Sequence, residues 1–228
     1  MDRLVAFRRD RWKEYGSFYA REHEKNLENW ELGEVVHLLK PQKGERILDL
    51  GCNTGEFCHL LKSRFSSSPK GIDINREAIQ IAKTKYPSIP FEVKDISQLK
   101  EKEEYDGITM IEVIEHLPDP VETLKKAKTL LKREGRLVLS TPNQWAYPFK
   151  IKSLIVGTNL SYDPLHLHEY NPPTLRTLLQ KSGLKVERIY TKVLGIPLLR
   201  HLSSPLYFHL PSGYWGRFLF CLSRREDR

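Results

Sequence analysis

The sequence has few cysteines and no long hydrophobic run. Its 228 residues include three cysteines, Cys52, Cys58 and Cys221, whose number is odd and whose spacing matches no metal-binding motif. We therefore expect free thiols in a reducing compartment and not a disulfide framework. No stretch approaches the roughly 20 apolar residues of a membrane-spanning helix, and the N-terminus lacks the apolar run of a signal peptide. These absences favour a cytoplasmic protein.

Acidic residues are scarce in the last third of the chain. The formal net charge is +8, and residues 144–228 carry most of it, with 12 Lys and Arg against 5 Asp and Glu. Such a positive field suits an anionic small molecule, a nucleic acid or an acidic membrane surface, and it also serves solubility alone. The basic residues form no run interleaved with aromatics, so the sequence does not require a nucleic-acid-binding face.

Strand and helix patterns alternate along the chain after a break at residues 41–44. The strand candidates are 46–50, 70–74, 90–94, 105–112, 135–141, 184–193 and 217–223, and the helix candidates are 17–40, 55–65, 76–85, 119–132 and 172–182. This rhythm predicts an α/β fold, doubly wound, with a mostly parallel seven-stranded sheet and helices on both faces. The helix at 119–132 is expected to stop beside Gly135, because glycine is common just past a helix end.

We expect a single domain over residues 1–228, because a chain of this length can bury one substantial core. Within it, residues 1–45 form an N-terminal helical segment. Residues 46–143 form a regular core, and residues 144–228 contain irregular segments followed by the final strands. Tyr15, Tyr19 and His23 on the N-terminal helix suit a lid over a ligand, and Leu27 and Trp30 suit packing on the sheet.

A glycine-bearing turn follows the first strand candidate. It contains Asp49, Gly51, Asn53 and Gly55, and an acid, Asp73, ends the next strand candidate 22 residues beyond Gly51. Glycines allow backbone to approach a ligand closely, and an acid at the end of the second strand can accept both hydroxyls of a ribose. The turn lacks the full spacing that holds a dinucleotide pyrophosphate. The pattern therefore predicts a nucleoside-binding crevice.

The same turn resembles the first motif of the class I S-adenosylmethionine (SAM) methyltransferases, D-x-G-x-G-x-G. Asn53 stands where that motif usually has its middle glycine, and Asn tolerates a positive φ. The resemblance implies a Rossmann-like methyltransferase fold whose last strand is antiparallel. It also implies SAM as the cofactor and S-adenosylhomocysteine as the product. The cofactor-binding residues that the resemblance implies are Asp49, Gly51, Asn53, Gly55, Asp73, Ile74, Asp95, Ile96, Ile111 and Glu112.

Within that set, Asp95 and the amide of Ile96 would face the adenine, since a carboxylate can accept from an exocyclic amine. A surface Asp that caps a loop is the alternative. Ile111 and Glu112 would lie at the end of the fourth strand, beside the sulfonium.

A second motif, Glu112-x-x-Glu115-His116-x-x-Asp119-Pro120, resembles the ubiquinone-biosynthesis O-methyltransferase-like small-molecule methyltransferases. The resemblance places His116 at the crevice rim, where a neutral imidazole could accept a substrate proton. His168 is a second candidate base. A hydrogen-bonded turn that only fixes the loop is the alternative for Glu115 and His116.

The first part of this motif also resembles the metal-binding segment of small-RNA 2′-O-methyltransferases, with His166 and His168 as further candidate ligands. The stretch from Asp163 to Tyr170 is closer to the H-x-H-x-Y/F pattern of small-molecule methyltransferases, so no metal is expected.

Two irregular segments, 144–162 and 194–216, are expected to select the acceptor. Their aromatics could line an apolar pocket or simply cover the sheet edge. Lys150 and Lys152 beside apolar residues 154–156 would also suit peripheral membrane contact. The aromatics concerned are Trp145, Tyr147, Phe149, Tyr207, Phe208, Tyr214 and Trp215.

The sequence thus predicts a SAM-dependent methyltransferase that moves the sulfonium methyl to an O or N nucleophile of a small-molecule acceptor by direct in-line displacement. That acceptor would be anionic or apolar-aromatic. The alternatives are an RNA methyltransferase acting on the 2′-hydroxyl or a base, and a non-catalytic interaction protein with the same fold. Nucleic acid is not the favoured partner.

Overall fold

A computed structural model describes residues 30–99, 105–146, 165–192, 216 and 218–225. Its strands are β1 Arg46–Leu50, β2 Ser68–Asp73, β3 Phe91–Val93, β4 Tyr105–Ile111, β5 Leu131–Pro142, β6 Leu184–Lys192 and β7 Phe218–Arg225. Its α-helices are α1 Trp30–Leu39, α2 Glu56–Phe65, α3 Arg76–Lys85, α4 Pro120–Leu130 and α5 Pro172–Lys181. Two 3₁₀ turns, Ile96–Gln98 and Ile114–His116, follow β3 and β4.

The seven strands form one sheet in the order β3-β2-β1-β4-β5-β7-β6. Strands β1 to β5 pair in parallel, and β7 is antiparallel to both β5 and β6. The order reverses between β1 and β4, and ligands of open α/β sheets bind at such a switch point, outside the carboxyl ends of the strands. The predicted doubly wound, mostly parallel fold with an antiparallel last strand is confirmed.

Alternate residues of the strands bury into two separate apolar cores. Val138 of β5 packs with Leu39 of α1 and Leu61 of α2. Its strand neighbour Leu139 packs with helix α4 on the other side of the sheet, beside Leu124. Successive side chains of a strand point to opposite faces, so helices cover both faces. The fold therefore leaves the carboxyl edge of the sheet as the place for a ligand.

The helix starts follow local sequence signals. Asn75 caps α3, and its side chain accepts hydrogen bonds from the amides of Glu77 and Ala78. Asp119 caps α4 ahead of Pro120 at the first position, where a missing N–H costs nothing. Side-chain oxygens at these positions satisfy amides that have no partner inside the helix.

The predicted helix stop at Gly135 is wrong. Helix α4 ends at Leu130, and β5 begins at the next residue, where Leu131 pairs with Tyr105 of β4. Gly135 lies inside β5, near a register irregularity between Tyr105 and Gly107. Pairing with β4 ends the helix earlier than the local glycine signal indicates.

Helix α1 is described from Trp30 onward, so the lid predicted at Tyr15, Tyr19 and His23 lies outside the described residues. All three cysteines are buried free thiols. Across the helices that the structure describes, none has the length and apolarity to cross a membrane.

Candidate functional site

The turn between β1 and α2 has a left-handed backbone at three positions. Gly51 has φ 80°, Asn53 has φ 48° and Gly55 has φ 85°. A Cβ on Gly51 would lie 2.4 Å from Cγ2 of Val113, so both the backbone conformation and the packing require glycine there. Asn53 adopts the positive φ expected of it. The turn thus packs closely against the loop that follows β4.

Asp73 ends β2 and fastens this turn. Its Oδ2 accepts a hydrogen bond from the Asn53 amide at 2.9 Å, and its Oδ1 accepts one from the Asn75 amide at 2.8 Å. Burial raises the pKa of Asp73, and these amide hydrogen bonds oppose that rise. Since β1 and β2 are adjacent and parallel, the acid lies beside the turn as the 22-residue offset predicts.

Asp49 lies beneath the turn in a buried position. It is 2% exposed, and its Oδ1 accepts a 2.6 Å hydrogen bond from Thr109 of β4. The Cys58 thiol of α2 lies 3.8 Å from Oδ2. Burial is the largest influence on its pKa and raises it from 3.8 to about 6. Asp49 therefore connects β1, β4 and α2 below the turn. Thr109 was missed, although a hydroxyl within the apolar run of β4 was a visible signal.

An exposed apolar surface lies next to Asp73. Ile74 and Val93 are 38% and 39% exposed, and they are the exposed large apolar side chains of the described part of the chain. Val93 pairs with Asp73 in the sheet, so both lie at the carboxyl ends of β2 and β3. The sequence predicted Ile74 but not Val93, because Val93 lies beside Asp73 only through the pairing register of β3 with β2.

Asp95 and Ile96 stand just beyond β3. The Asp95 Oδ1 accepts from the amide and the hydroxyl of Ser97, at 2.9 and 2.7 Å. It thereby caps a 3₁₀ turn, as the loop-capping alternative foresaw. The Ile96 side chain is buried in the core, which leaves its backbone amide as the group that could face a ligand.

The end of β4 borders β5. Ile111 pairs with Ser140, and the Glu112 amide donates to the Ser140 carbonyl at 3.2 Å. Glu112 has φ 53°, an uncommon conformation for a residue other than glycine, which turns the chain sharply out of the strand. Ile111 packs against the core shared with α1.

Three side chains that could bind a metal ion lie together. Glu115 and His116 belong to the second 3₁₀ turn, and His166 comes from the segment that precedes α5. The ligand atoms of Glu115, His116 and His166 lie within 4.8 Å of one another. Glu115 is 1% exposed, and its Oε2 accepts from the Thr141 hydroxyl at 2.9 Å. Such a carboxylate–imidazole set could hold a divalent cation. The expectation of no metal stays a prediction.

The two candidate bases each have one ring nitrogen engaged by a carbonyl. The His116 Nδ1 lies 3.2 Å from the Leu165 carbonyl, and the His168 Nε2 lies 3.0 Å from the Leu117 carbonyl. Because a carbonyl only accepts, each of these nitrogens carries the proton. The other His116 nitrogen, Nε2, lies 3.9 Å from the Glu115 Oε1. The structure brings His166, and not His168, into the Glu115–His116 group.

The predicted acceptor pocket is described at one aromatic residue. Trp145 is partly buried, and its amide donates to the Asn143 side chain at 3.1 Å. The remaining residues proposed for that pocket or for membrane contact lie outside the described residues. They are Tyr147, Phe149, Lys150, Lys152, Tyr207, Phe208, Tyr214 and Trp215.

A left-handed turn fastened to an acid at the end of the neighbouring strand defines a Rossmann-like nucleoside-binding class of protein. The model of one family, described as a methyltransferase domain, matches residues 18–189. The chain belongs to this methyltransferase family. It also belongs to the broader class I SAM-dependent methyltransferases.

Curated relatives are named ubiquinone biosynthesis O-methyltransferase. The protein of Neisseria meningitidis is 28% identical over 157 residues, which are 63% of this chain and 65% of that protein. The protein of Coxiella burnetii is 30% identical over 155 residues, with the same coverage. The matched region thus spans less than two thirds of the length of either relative.

Solved structures share the fold at low identity. A chain from the complex between the Haloferax volcanii Trm112 methyltransferase activator and a methyltransferase superposes with TM-score 0.71 at 17% identity. That match covers 96% of this chain and 98% of the other. A SAM-dependent methyltransferase of Archaeoglobus fulgidus has TM-score 0.65 at 21% identity, with coverage of 91% and 99%.

Proposed function

We propose that this protein is a SAM-dependent methyltransferase that methylates an oxygen of a small-molecule acceptor. The observation that carries the proposal is the contact between Asp73 and the amide of Asn53, beside the exposed side chain of Ile74. It presents a carboxylate for ribose hydroxyls next to an apolar surface for a base. The names of the curated relatives support oxygen as the methylated atom.

The described residues fit the nucleoside part of SAM. Asp73 would accept from the ribose hydroxyls, and Ile74 and Val93 offer apolar surface to the adenine. Asp95 and the amide of Ile96 would face the polar edge of that ring. Ile74 and Val93 are each more than one third exposed next to Asp73. A flat adenine ring bound there would cover this apolar surface.

The remaining residues of the proposed cofactor site belong to the turn after β1 and to the place expected for the methionine part of SAM. Gly51, Asn53 and Gly55 bring backbone close to the ligand, and Asp49 holds this turn from below. Ile111 and Glu112 border the position expected for the sulfonium, at the end of β4. When bound, SAM supplies an activated methyl group.

The protein's own contribution is to align the acceptor, exclude water and accept a proton. Of the two candidate bases we favour His116 over His168. Its Nδ1 proton is held by the Leu165 carbonyl, so Nε2 keeps a lone pair. The Glu115 carboxylate 3.9 Å away would stabilise the imidazolium that forms.

Transfer of a labelled methyl group from SAM tests this proposal. Catechol serves as a hydroxylated aromatic probe, and unmodified tRNA serves as the probe for the RNA alternative. We expect label in catechol and not in tRNA. Label in tRNA alone would contradict a small-molecule acceptor, and a protein that binds neither SAM nor S-adenosylhomocysteine would contradict the whole proposal.

Variants of the two histidines test the base. His116→Ala should lower the transfer rate by about 10²-fold or more, the usual contribution of a general base, and should remove the acidic limb of the pH–rate profile. His168→Ala should keep that limb. An unchanged profile in His116→Ala would rule out this role for His116.

A further inference from the structure

The buried face of α1 changes from polar to apolar along the helix. Glu31 and Glu34 are each 8% exposed, whereas Val35 and Leu38, which follow on the same face, belong to the apolar core. An acid in a first helical turn is favoured by the helix dipole, but it normally points to water. Glu31 lies in the first turn and Glu34 in the next, and both buried carboxyl groups need polar partners.

Helix α1 runs antiparallel to β5. At its C-terminal end the carbonyl of Leu39 accepts from Arg136, in the middle of β5. At its N-terminal end Oε1 of Glu31 accepts a 2.7 Å hydrogen bond from the Ser140 hydroxyl, near the end of β5. Glu31 therefore lies at the carboxyl edge of the sheet, which is the ligand-binding edge.

The register of the sheet places Glu31 beside the end of β4. Ser140 pairs with Ile111, and the Ser140 carbonyl accepts from the Glu112 amide. Ile111 packs against the same core as α1, so its side chain and the Ser140 hydroxyl face the same helix. The Glu31 carboxylate and the Ile111 side chain are thus neighbours on the α1 side of the sheet.

The strand order gives the direction in which the cofactor extends. With the adenine at β3 and the ribose at β2, continuation along β3-β2-β1-β4-β5 brings the sulfonium end past β1 to β4. The neighbour of β4 on that side is β5, whose Ser140 holds Glu31. The buried carboxyl group of Glu31 therefore lies near the place where the cofactor carries a positive charge.

We propose that Glu31 is the counter-charge to the sulfonium of the cofactor and makes the site prefer SAM over S-adenosylhomocysteine. This inference rests on the proposed function. The sulfonium carries a positive charge that the thioether of the product lacks, so a nearby carboxylate stabilises only the substrate form. Loss of that carboxylate should lower the preference on the order of tenfold, as expected for one partly screened charge pair.

Glu34 provides a matched control on the same helix. It has the same exposed fraction as Glu31, but its carboxylate accepts from the Tyr190 hydroxyl at 2.7 Å and pairs with the Lys192 ammonium. Tyr190 and Lys192 belong to β6, which lies two strands beyond β5 in the sheet. Glu34 is therefore held away from the place expected for the sulfonium and should not distinguish the two ligands.

Calorimetric titration with SAM and with S-adenosylhomocysteine tests the proposal. Glu31→Gln keeps an oxygen for the Ser140 hydroxyl and removes only the charge. We expect its affinity for SAM to fall while its affinity for S-adenosylhomocysteine stays near wild type, and we expect Glu34→Gln to keep the wild-type ratio. An equal loss of affinity for both ligands in Glu31→Gln would overturn the proposal, and so would unchanged affinities. The same change of the affinity ratio in Glu31→Gln and Glu34→Gln would also overturn it.

Ser140→Ala is a second variant in case Glu31→Gln does not fold. It releases Glu31 from its hydrogen bond, so the ratio should move in the same direction by a smaller factor, and an unchanged ratio would overturn the proposal. Failure of the proposed function looks different, since the wild-type protein would then bind neither ligand.

Discussion

The buried carboxylate of Asp49 should make the protein less stable at neutral pH than it would be with an amide there. Asp49 is 2% exposed, and its pKa is set by burial, by hydrogen bonds from Thr109 and Cys58, and by the nearby charge of Asp73, none of which is a basic group. Asp49→Asn preserves the size of the side chain and an oxygen for the Thr109 hydroxyl. The substitution therefore isolates the cost of the charge.

The magnitude follows from the pKa. Burial raises the pKa of Asp49 from 3.8 to about 6, so the folded protein binds this proton more tightly than the unfolded chain. The stabilisation by the bound proton is present below pH 3.8 and is lost as the pH rises through 6. A shift of this size corresponds to about 3 kcal/mol at and above pH 7 and to well under 1 kcal/mol near pH 4. Asp49→Asn should therefore gain stability mainly on the alkaline side.

Urea unfolding between pH 4 and pH 8 is the assay, because the difference between two proteins cancels the titration of the other groups. Asp106→Asn is a control of opposite sign. Burial tends to raise the pKa of Asp106, but the Lys132 ammonium at 2.6 Å and the Arg46 amide outweigh it and lower the pKa. That carboxylate stabilises the fold above pH 3.8, and the effect is lost as the pH falls. Parallel stability curves for wild type and Asp49→Asn would show that the buried charge of Asp49 has no such cost.

Two further substitutions have definite expected outcomes. Gly51→Ala adds a Cβ 2.4 Å from Val113 at φ 80° and should lower the free energy of unfolding by about 3 kcal/mol. Gly44→Ala, at φ 79° with no atom within 4 Å, should lower it by only about 1 kcal/mol. Equal losses of stability in thermal unfolding would contradict close packing at Gly51. Asp73→Ala removes the hydrogen-bond acceptor for the ribose and for the turn, and the affinity for SAM measured by calorimetry should fall about 100-fold. Wild-type affinity in this variant would show that Asp73 does not bind the cofactor.

Local sequence patterns located the strands and the fastened turn. Alternation of apolar segments with helix signals placed β1 to β7 within a few residues. The glycines at 51 and 55 and the acid at 73 lie in neighbouring elements of a βαβ unit, so a fixed offset along the chain corresponds to one place in space. Asn53 could be predicted because few other residues tolerate its backbone conformation.

Contacts between distant segments could not be predicted in this way. Glu31 and Ser140 are 109 residues apart, and only the docking of α1 on β5 joins them. Helix α4 ended early because Leu131 pairs with Tyr105, a contact that the glycine at 135 does not signal. The choice of His166 over His168 beside Glu115 likewise depends on how residues 165–168 dock on the loop after β4.

A crystal structure with S-adenosylhomocysteine bound would test the proposed cofactor site most directly. We expect both ribose hydroxyls on the Asp73 carboxylate, the adenine over Ile74 and Val93 with its polar edge toward Asp95, and the sulfur beside the end of β4 at Ile111. A ligand bound elsewhere on the protein, or one whose ribose makes no contact with Asp73, would contradict it.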